Sequence, residues 1–401
     1  MIRVLEISSP KELNSILREI KVDPYGIDIM RLKGLTRLIH IKDLSNITAN
    51  ILKQEMLSLG ADAAIARNAL TGKTKITDCL LMGNDAQLFR LKTKLKNQPF
   101  GLGGLANRIS QALGNYESDG FLIETKKYRL DLTKATRIMG VMNLTPDSFS
   151  GDGLYASLRA LDKEKILAFA QKLVNEGADI LDIGGESSRP GAKPISIKEE
   201  CARVIPAIKL IAKRVKVPIS IDTYKPEVAS RAIDCGVSLI NDITGLRDPA
   251  MVKLAARSKA AVVIMHMKGM PYNMQKSPVY KSLIFEINSF LESAITRAVE
   301  AGVARDKIII DPGIGFGKTM EHNLEILKNL RTFKTLGRPI LVGPSRKSFI
   351  GKILRSEPQA RIPGTISACV LAAKNGANLL RVHDVKEVKQ ALKIFDAVNF
   401  A

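Results

Sequence analysis

From about residue 137 onward, short apolar runs alternate with longer segments in which apolar residues recur every three or four positions. The short runs are typical of buried strands and the longer segments of amphipathic helices. The eight predicted strands span residues 138–143, 179–183, 218–222, 238–241, 261–265, 308–311, 339–342 and 379–382. The predicted helices include residues 163–176, 197–214, 226–234, 283–301, 321–330, 366–375 and 385–398. This alternation predicts an α/β fold, a (β/α)8 TIM barrel.

Residues 1–118 follow a less regular pattern, which predicts a small α/β domain before the barrel. Its predicted strands span residues 22–30, 36–41 and 75–82, and its predicted helices residues 49–59, 85–97 and 102–113. Residues 114–119 are polar and rich in turn formers, so we place the boundary there and assign residues 119–401 to the barrel. We recognise no acid, base or metal cluster in the first domain, whose role stays open between oligomerisation and regulation.

Two short apolar segments follow the boundary, at residues 121–125 and 128–132. Only Lys126 and Lys127 separate them, which predicts a β-hairpin. We expect this hairpin to cover the amino-terminal end of the barrel.

Polar residues stand at or just beyond the carboxyl end of each predicted barrel strand. They are Asn143, Asp182, Asp222, Asn241, His266, Asp311, residues 345–347, and Arg381 with His383. In a closed barrel these ends converge on one mouth, where barrel enzymes place their chemistry. A single Asp at a strand end can merely cap the next helix. Polar residues at the ends of all eight strands predict an active site instead.

The chain carries a formal net charge of +21, but its basic residues are spread out and only 5% of residues are aromatic. This argues against nucleic-acid binding and fits an enzyme for anionic substrates, although surface lysines can also serve solubility alone. No apolar run approaches the roughly 20 residues of a membrane span, and no signal-peptide pattern is present. Cys79, Cys201, Cys235 and Cys369 lie far apart, which predicts neither disulfides nor a zinc site and fits a cytoplasmic location.

Eight polar segments carry motifs, one for each strand. They span residues 139–153, 182–192, 220–226, 240–245, 265–271, 311–318, 343–351 and 381–385. The first segment by itself could be an ordinary strand and turn. The glycine-rich residues 313–317 by themselves would be weak evidence for phosphate binding. Together and in this order they resemble the dihydropteroate synthase family of folate biosynthesis. The resemblance covers about residues 120–401.

The resemblance implies that 6-hydroxymethyl-7,8-dihydropterin diphosphate condenses with p-aminobenzoate to give 7,8-dihydropteroate and pyrophosphate. A pterin has an amide–guanidine edge that needs paired acceptors and donors. Asp222, Asn241, Asp311 and Lys347 supply such a set. The alternative is that the two acids are structural barrel residues.

The resemblance also implies a site for the leaving pyrophosphate. Arg189, Arg381 and His383 would neutralise its charge, with a Mg²⁺ held in part by Asn143. Arg381 could instead pair with Asp384. The residues predicted to be catalytic are therefore Arg189, Lys347, Arg381 and His383.

The arylamine is expected beside the first two barrel loops. Phe149, Ser188 and Pro190 are candidates to line its pocket, and Ser348 with the helix that follows could receive its carboxylate. A modified arylamine could replace p-aminobenzoate.

The mechanism expected from the resemblance is dissociative: pyrophosphate leaves first, and the neutral amine attacks the resulting cation. Loops at residues 143–153 and 184–194 would exclude water. A corrinoid methyltransferase and a non-catalytic pterin-binding paralogue are the rival interpretations. The first has no use for the residues of the pyrophosphate site and the second should have lost some of them, whereas this sequence retains them. We expect a homodimer.

Overall fold

A computed structural model shows two compact units, Met1–Glu117 and Ser118–Ala401. The structure describes residues 1–7, 9–118, 120–145, 155–157, 160–189 and 191–399. In this described part of the chain, no helix combines the length and the apolar character needed to cross a membrane. All four cysteines are free thiols, and Cys79, Cys201 and Cys369 are buried.

The first unit is a three-stranded antiparallel sheet in the order β1–β3–β2, with helices packed against it. Its elements are α1 (Pro10–Glu19), α2 (Pro24–Met30), β1 (Thr36–Ser45), α3 (Asn46–Ser58), β2 (Asp62–Ile65), α4 (Arg67–Leu70), β3 (Ile76–Asn84), α5 (Asp85–Leu95) and α6 (Leu102–Glu117). Leu52, Met56, Leu81, Leu91 and Leu95 are fully buried between the sheet and the helices. This small core is separate from that of the barrel.

The predicted strand at residues 22–30 is wrong, because helix α2 occupies this segment. Pro24 fills the first helical position, and the carboxylate of Asp23 accepts a hydrogen bond from the Tyr25 N–H at 2.9 Å. An Asp–Pro start of this kind favours a helix over the extended chain that the apolar pattern predicts. Helix α1 and strand β2 lie where the pattern predicts no element. The turn formers at residues 114–117 are part of α6.

The second unit confirms the predicted barrel. Its parallel strands are β6 (Arg137–Asn143), β9 (Ile180–Gly184), β10 (Ile219–Asp222), β11 (Leu239–Asp242), β12 (Ala261–Met265), β13 (Ile308–Asp311), β14 (Leu341–Val342) and β15 (Leu379–Val382). The sheet runs in the order β13–β12–β11–β10–β9–β6–β15–β14. A parallel bridge between Ile310 and Ile340 closes it, and the Ile310 N–H donates to the carbonyl of Pro339 at 2.9 Å.

Helices surround this sheet and shield its outer face. They are α7 (Lys163–Asn175), α8 (Ile197–Ile211), α9 (Pro226–Asp234), α10 (Pro249–Ser258), α11 (Leu283–Glu300), α12 (Met320–Lys328), α13 (Ser348–Leu354), α14 (Ile362–Lys374) and α15 (Val385–Asn399). Two small hairpins accompany them, β4 (Leu122–Glu124) with β5 (Arg129–Asp131), and β7 (Tyr155–Ser157) with β8 (Ala160–Leu161).

The barrel interior is apolar at its amino-terminal end. The inward residues of this layer are Met139, Ile180, Leu239, Ala261, Val263, Ile309, Leu341 and Leu379. Ile123 in β4 and Leu132, which directly follows β5, pack against this layer, with 1% and 3% of their surface exposed. The hairpin therefore covers this end, as the sequence predicts. Side chains alternate along a strand, so the next inward positions bring Asp182, Asn241 and Arg381 into the interior above this layer.

A chain that begins at Ser118 is expected to fold on its own, because the hairpin and the barrel share one core. A chain that begins at Lys134 lacks the hairpin and should be less stable. Burial of Ile123 and Leu132 contributes about 1.5–3 kcal/mol each. Thermal unfolding of both truncated chains tests this. Equal melting temperatures would show that the hairpin adds nothing to the core.

Candidate active site

A cavity of about 440 Å³ opens at the carboxyl ends of the barrel strands. The predicted site residues that line it are Asn143, Ser188, Arg189, Lys347, Ser348, Arg381 and His383. Glu186, Phe316 and Arg361 line it as well, and the sequence motifs single out none of them for a role. One pocket thus contains residues from segments that are more than 200 positions apart.

Arg381 connects this cavity to the acids of the barrel interior. Its Nε donates to Asp182 Oδ2 at 2.6 Å, and its Nη2 donates to Asp222 Oδ2 at 2.7 Å. The alternative pairing of Arg381 with Asp384 is wrong, because Asp384 accepts from Arg346 Nε at 3.0 Å and Nη2 at 2.5 Å. The guanidinium therefore lies between Asp222 of the predicted pterin site and the buried carboxylate of Asp182.

Asp182 is the centre of this network, and the sequence gives it no role beyond its place in a strand. It is fully buried, and its Oδ2 also accepts from Asn241 Nδ2 at 3.1 Å. Its Oδ1 has no hydrogen-bond partner among the residues that the structure describes. The signal in the sequence was an acid between Leu181 and Ile183 in an otherwise apolar strand. Such a buried charge is retained only where it is paired or used.

Burial shifts the ionisation of the groups around Arg381. Burial raises the pKa of Asp222, against the opposing effect of Arg381. Burial also raises the pKa of Asp311 to about 6, against the hydrogen bond from the Gly313 N–H at 2.6 Å. Burial and, to a smaller extent, the neighbouring Arg381 lower the pKa of Lys347 to about 8. Desolvated groups with shifted pKa values are typical of functional sites.

The glycine-rich segment after β13 shapes the cavity wall and is no phosphate cradle. The Gly313 N–H donates to Asp311, and the Gly315 N–H donates to Asn323 Oδ1 at 2.7 Å, so both groups are already used. Gly315 has φ +81°, and a Cβ there would lie 2.9 Å from Lys347 Cδ. Glycine therefore lets the backbone pass close to this lysine.

His383 lies beside Ser345 at the end of β15. Its Nδ1 is 3.1 Å from Ser345 Oγ, and its backbone N–H donates to the same oxygen at 3.2 Å. Burial, with Arg381 and Arg346 nearby, lowers the pKa of His383 to about 3. The imidazole of the ligand-free protein is therefore neutral at pH 7 and contributes hydrogen bonds rather than charge.

His266 does not belong to the cavity, although it follows β12. Its ring packs edge-on against Phe290 with 5.0 Å between centroids, and Lys318 Nζ is 3.1 Å from its Nδ1. Because side chains alternate along a strand, Met265 points inward and His266 outward. The prediction that all eight strands contribute a polar residue to one mouth is wrong at this strand.

Several predictions fall on residues 146–153 and on Pro190, which lie outside the described residues. Phe149 and Pro190, two of the three candidates for the arylamine pocket, are among them, whereas the third, Ser188, lines the cavity. Among the described residues, no group of three or more His, Cys, Asp and Glu could hold a metal ion.

Known proteins similar to this chain share its barrel. A family model described as pterin binding enzyme matches residues 139–383. The dihydropteroate synthase of Escherichia coli (strain K12) is 44% identical over 268 residues, which cover 67% of this chain and 93% of that protein. The dihydropteroate synthase of Thermus thermophilus, solved with 4-aminobenzoate, is 41% identical with a TM-score of 0.62, covering 69% of this chain and 99% of that one.

One similar protein also includes the first unit. The probable bifunctional folylpolyglutamate synthase/dihydropteroate synthase of Halobacterium salinarum is 36% identical over 395 residues. These residues cover 98% of this chain and 47% of that protein. Most of residues 1–117 therefore have a counterpart there.

Proposed function

The chain belongs to the dihydropteroate synthases, transferases of folate biosynthesis within the pterin-binding enzyme family, and we propose how its residues divide the reaction. The substrates in this proposal are 6-hydroxymethyl-7,8-dihydropterin diphosphate and p-aminobenzoate. The observation that supports it most is the cavity itself, in which Arg381 joins buried carboxylates to a cationic rim. A pterin edge needs the acceptors, and a diphosphate needs the cations.

The pterin would bind in the barrel interior. Asp222 and Asp311 would accept from its N–H groups, and Asn241 and Lys347 would donate to its nitrogen and carbonyl acceptors. Lys347 Nζ lies 4.1 Å from the ring centroid of Phe316, which keeps the ammonium beside an apolar surface. A corrinoid methyltransferase would use the same pterin groups but would have no need of the cations at the rim.

The diphosphate would extend to the rim, toward Arg189, Arg381 and His383. As the bond between the methylene carbon and oxygen breaks, its electron pair leaves with pyrophosphate. The guanidinium cations of Arg189 and Arg381 would stabilise the developing charge, and the neutral His383 would donate a hydrogen bond. Asn143 fits a Mg²⁺ that takes its other ligands from water and substrate, because this ion seldom needs a full protein cage. When bound, Mg²⁺ would neutralise part of the diphosphate charge.

The arylamine would approach from the loop that carries Ser188. Its nitrogen forms a bond to the methylene carbon of the pterin cation and loses a proton, and a neutral aniline needs no strong base for this step. The carboxylate of the amine would lie near Ser348, the first residue of α13. The Thermus relative binds 4-aminobenzoate, which supports this choice of amine.

Release of pyrophosphate by the full chain tests the proposal. We expect it only when both the pterin diphosphate and p-aminobenzoate are present, and we expect a chelator to lower it and added Mg²⁺ to restore it. A second arylamine with a bulkier group in place of the carboxylate serves as the comparison. Turnover with that amine alone would assign the enzyme to a modified pterin cofactor, and release without any amine would indicate hydrolysis.

For the first unit we propose an assembly or regulatory role within a homodimer in the cytoplasm. None of its residues has a role in the proposed reaction. The chain that begins at Ser118 should therefore retain turnover. Loss of the dimer in that chain would support a role in assembly.

A further inference from the structure

A buried ionic cluster lies beside the cavity and takes no part in the proposed chemistry. Lys225 Nζ donates to Glu200 Oε2 at 2.7 Å and to the carbonyl of Ile195 at 2.7 Å, and it also donates to Glu186. The hydroxyl of Tyr224 donates to Glu186 Oε1 at 2.7 Å. The Ile195 N–H donates to Glu186 Oε2 at 3.2 Å. We call these five residues the loop clamp.

The loop clamp joins the two ends of the segment between β9 and α8. Glu186 stands at the beginning of this segment and Ile195 near its end, and Lys225 binds both. Between these ends, Ser187, Ser188 and Arg189 line the cavity. A loop that is fixed at its base presents these side chains in a narrow range of positions. The loop clamp therefore holds the base of the loop in place. Lys225 itself does not line the cavity.

The charges of the clamp depend on Lys225. The exposed fractions are 1% for the side chain of Glu200, 9% for Glu186 and 12% for Lys225. Burial lowers the pKa of Lys225, but the hydrogen bonds that Lys225 donates to Glu186 and Glu200, together with their negative charges, outweigh this and raise it. Glu200 Oε1 has no hydrogen-bond partner among the described residues. Without the lysine, two buried carboxylates would face each other, and the base of the loop would open.

We propose that Lys225, with Glu186 and Tyr224, is a positioning residue that sets the affinity for the arylamine. This rests on the proposed function, in which the loop with Ser188 forms the amine pocket. The pterin is bound mainly by residues of other strands, and Asp222 is held by Arg381 rather than by the clamp. Opening the loop should therefore weaken the binding of p-aminobenzoate more than the binding of a pterin that lacks the diphosphate.

The test compares Lys225→Met with Lys225→Arg and with Lys209→Met, which removes an exposed lysine from α8. We expect Lys225→Met to raise KM for p-aminobenzoate about 10-fold or more, as for a misplaced substrate-binding group. Its affinity for 6-hydroxymethylpterin, measured by calorimetry, should stay within about twofold. Lys225→Arg should restore most of the loss, because arginine can also bind two carboxylates. Lys209→Met should behave like the unaltered chain.

Amide hydrogen exchange gives an independent measure. The Ile195 N–H should exchange faster in Lys225→Met, because its acceptor Glu186 loses its anchor. Tyr224→Phe removes one hydrogen bond and should raise KM for the amine by about two- to fivefold, which keeps the test open if Lys225→Met does not fold. An unchanged KM and unchanged exchange would overturn the proposal, as would an equal loss of pterin affinity. Absence of turnover in the unaltered chain would instead contradict the proposed function.

Discussion

Replacing Arg381 by alanine is expected to lower kcat by about 10²–10³-fold, the loss typical of a removed donor to developing negative charge. The same change should destabilise the fold by about 3–5 kcal/mol, because it leaves buried carboxylates without their cation. Asp182 and Asp222 lie 2.6 and 2.7 Å from this guanidinium. These carboxylates raise the pKa of Arg381 against the effect of burial. Steady-state kinetics and chemical denaturation measure the two effects separately.

A double variant separates catalysis from stability. In Arg381→Ala combined with Asp182→Asn, one uncompensated carboxylate is removed, so much of the stability should return. Turnover should stay low, because no cation replaces the guanidinium beside the diphosphate. Recovery of both properties together would mean that Arg381 only neutralises the barrel acids. Arg381→Lys is the matched control, since it keeps the charge but loses the forked donors.

The barrel was predictable because its signals are local. Each strand is a short apolar run with a polar residue at or just beyond its carboxyl end, and a helix follows most strands, so the order and direction of the strands can be read along the chain. The hairpin under the barrel was predictable for the same reason. In the first unit, the apolar pattern of residues 22–30 predicts a strand, whereas Asp23 and Pro24 favour the start of a helix. The structure has the helix.

The partners inside the site could not be read from the sequence. Arg381 and Asp182 are 199 positions apart, and only closure of the sheet brings them to 2.6 Å. The direction of His266 also depends on the inward or outward register of β12, which places Met265 in the interior. Likewise, Lys225 follows Asp222 by three positions yet serves a different loop. A position at the end of a strand identifies a candidate site residue, whereas the direction of its side chain decides whether the residue faces the site.

Pterin recognition should depend strongly on Asp222 and Asp311. Asp222→Asn and Asp311→Asn keep the volume of each side chain but replace an acceptor oxygen by a donor that faces ring N–H groups. An unpaired buried polar group costs about 1–3 kcal/mol, so the affinity for 6-hydroxymethylpterin should fall about 10- to 100-fold. Calorimetric titration measures this. Asp234→Asn, at an exposed position of α9, is the control and should bind as the unaltered chain does.

The pH dependence of binding distinguishes the role of Asp311 from a general loss of structure. Burial raises the pKa of Asp311 to about 6, above its ordinary value, so the carboxylate is ionised above this pH and protonated below it. Protonation turns one acceptor oxygen into an O–H donor that opposes the ring N–H groups. The affinity of the unaltered chain should therefore fall as the pH drops through about 6. Asp311→Asn has no proton to gain there, and its weaker binding should lose this step. A step at about pH 6 that persists unchanged in Asp311→Asn would remove Asp311 from the pterin site, and unchanged pterin affinity in both variants would remove both acids.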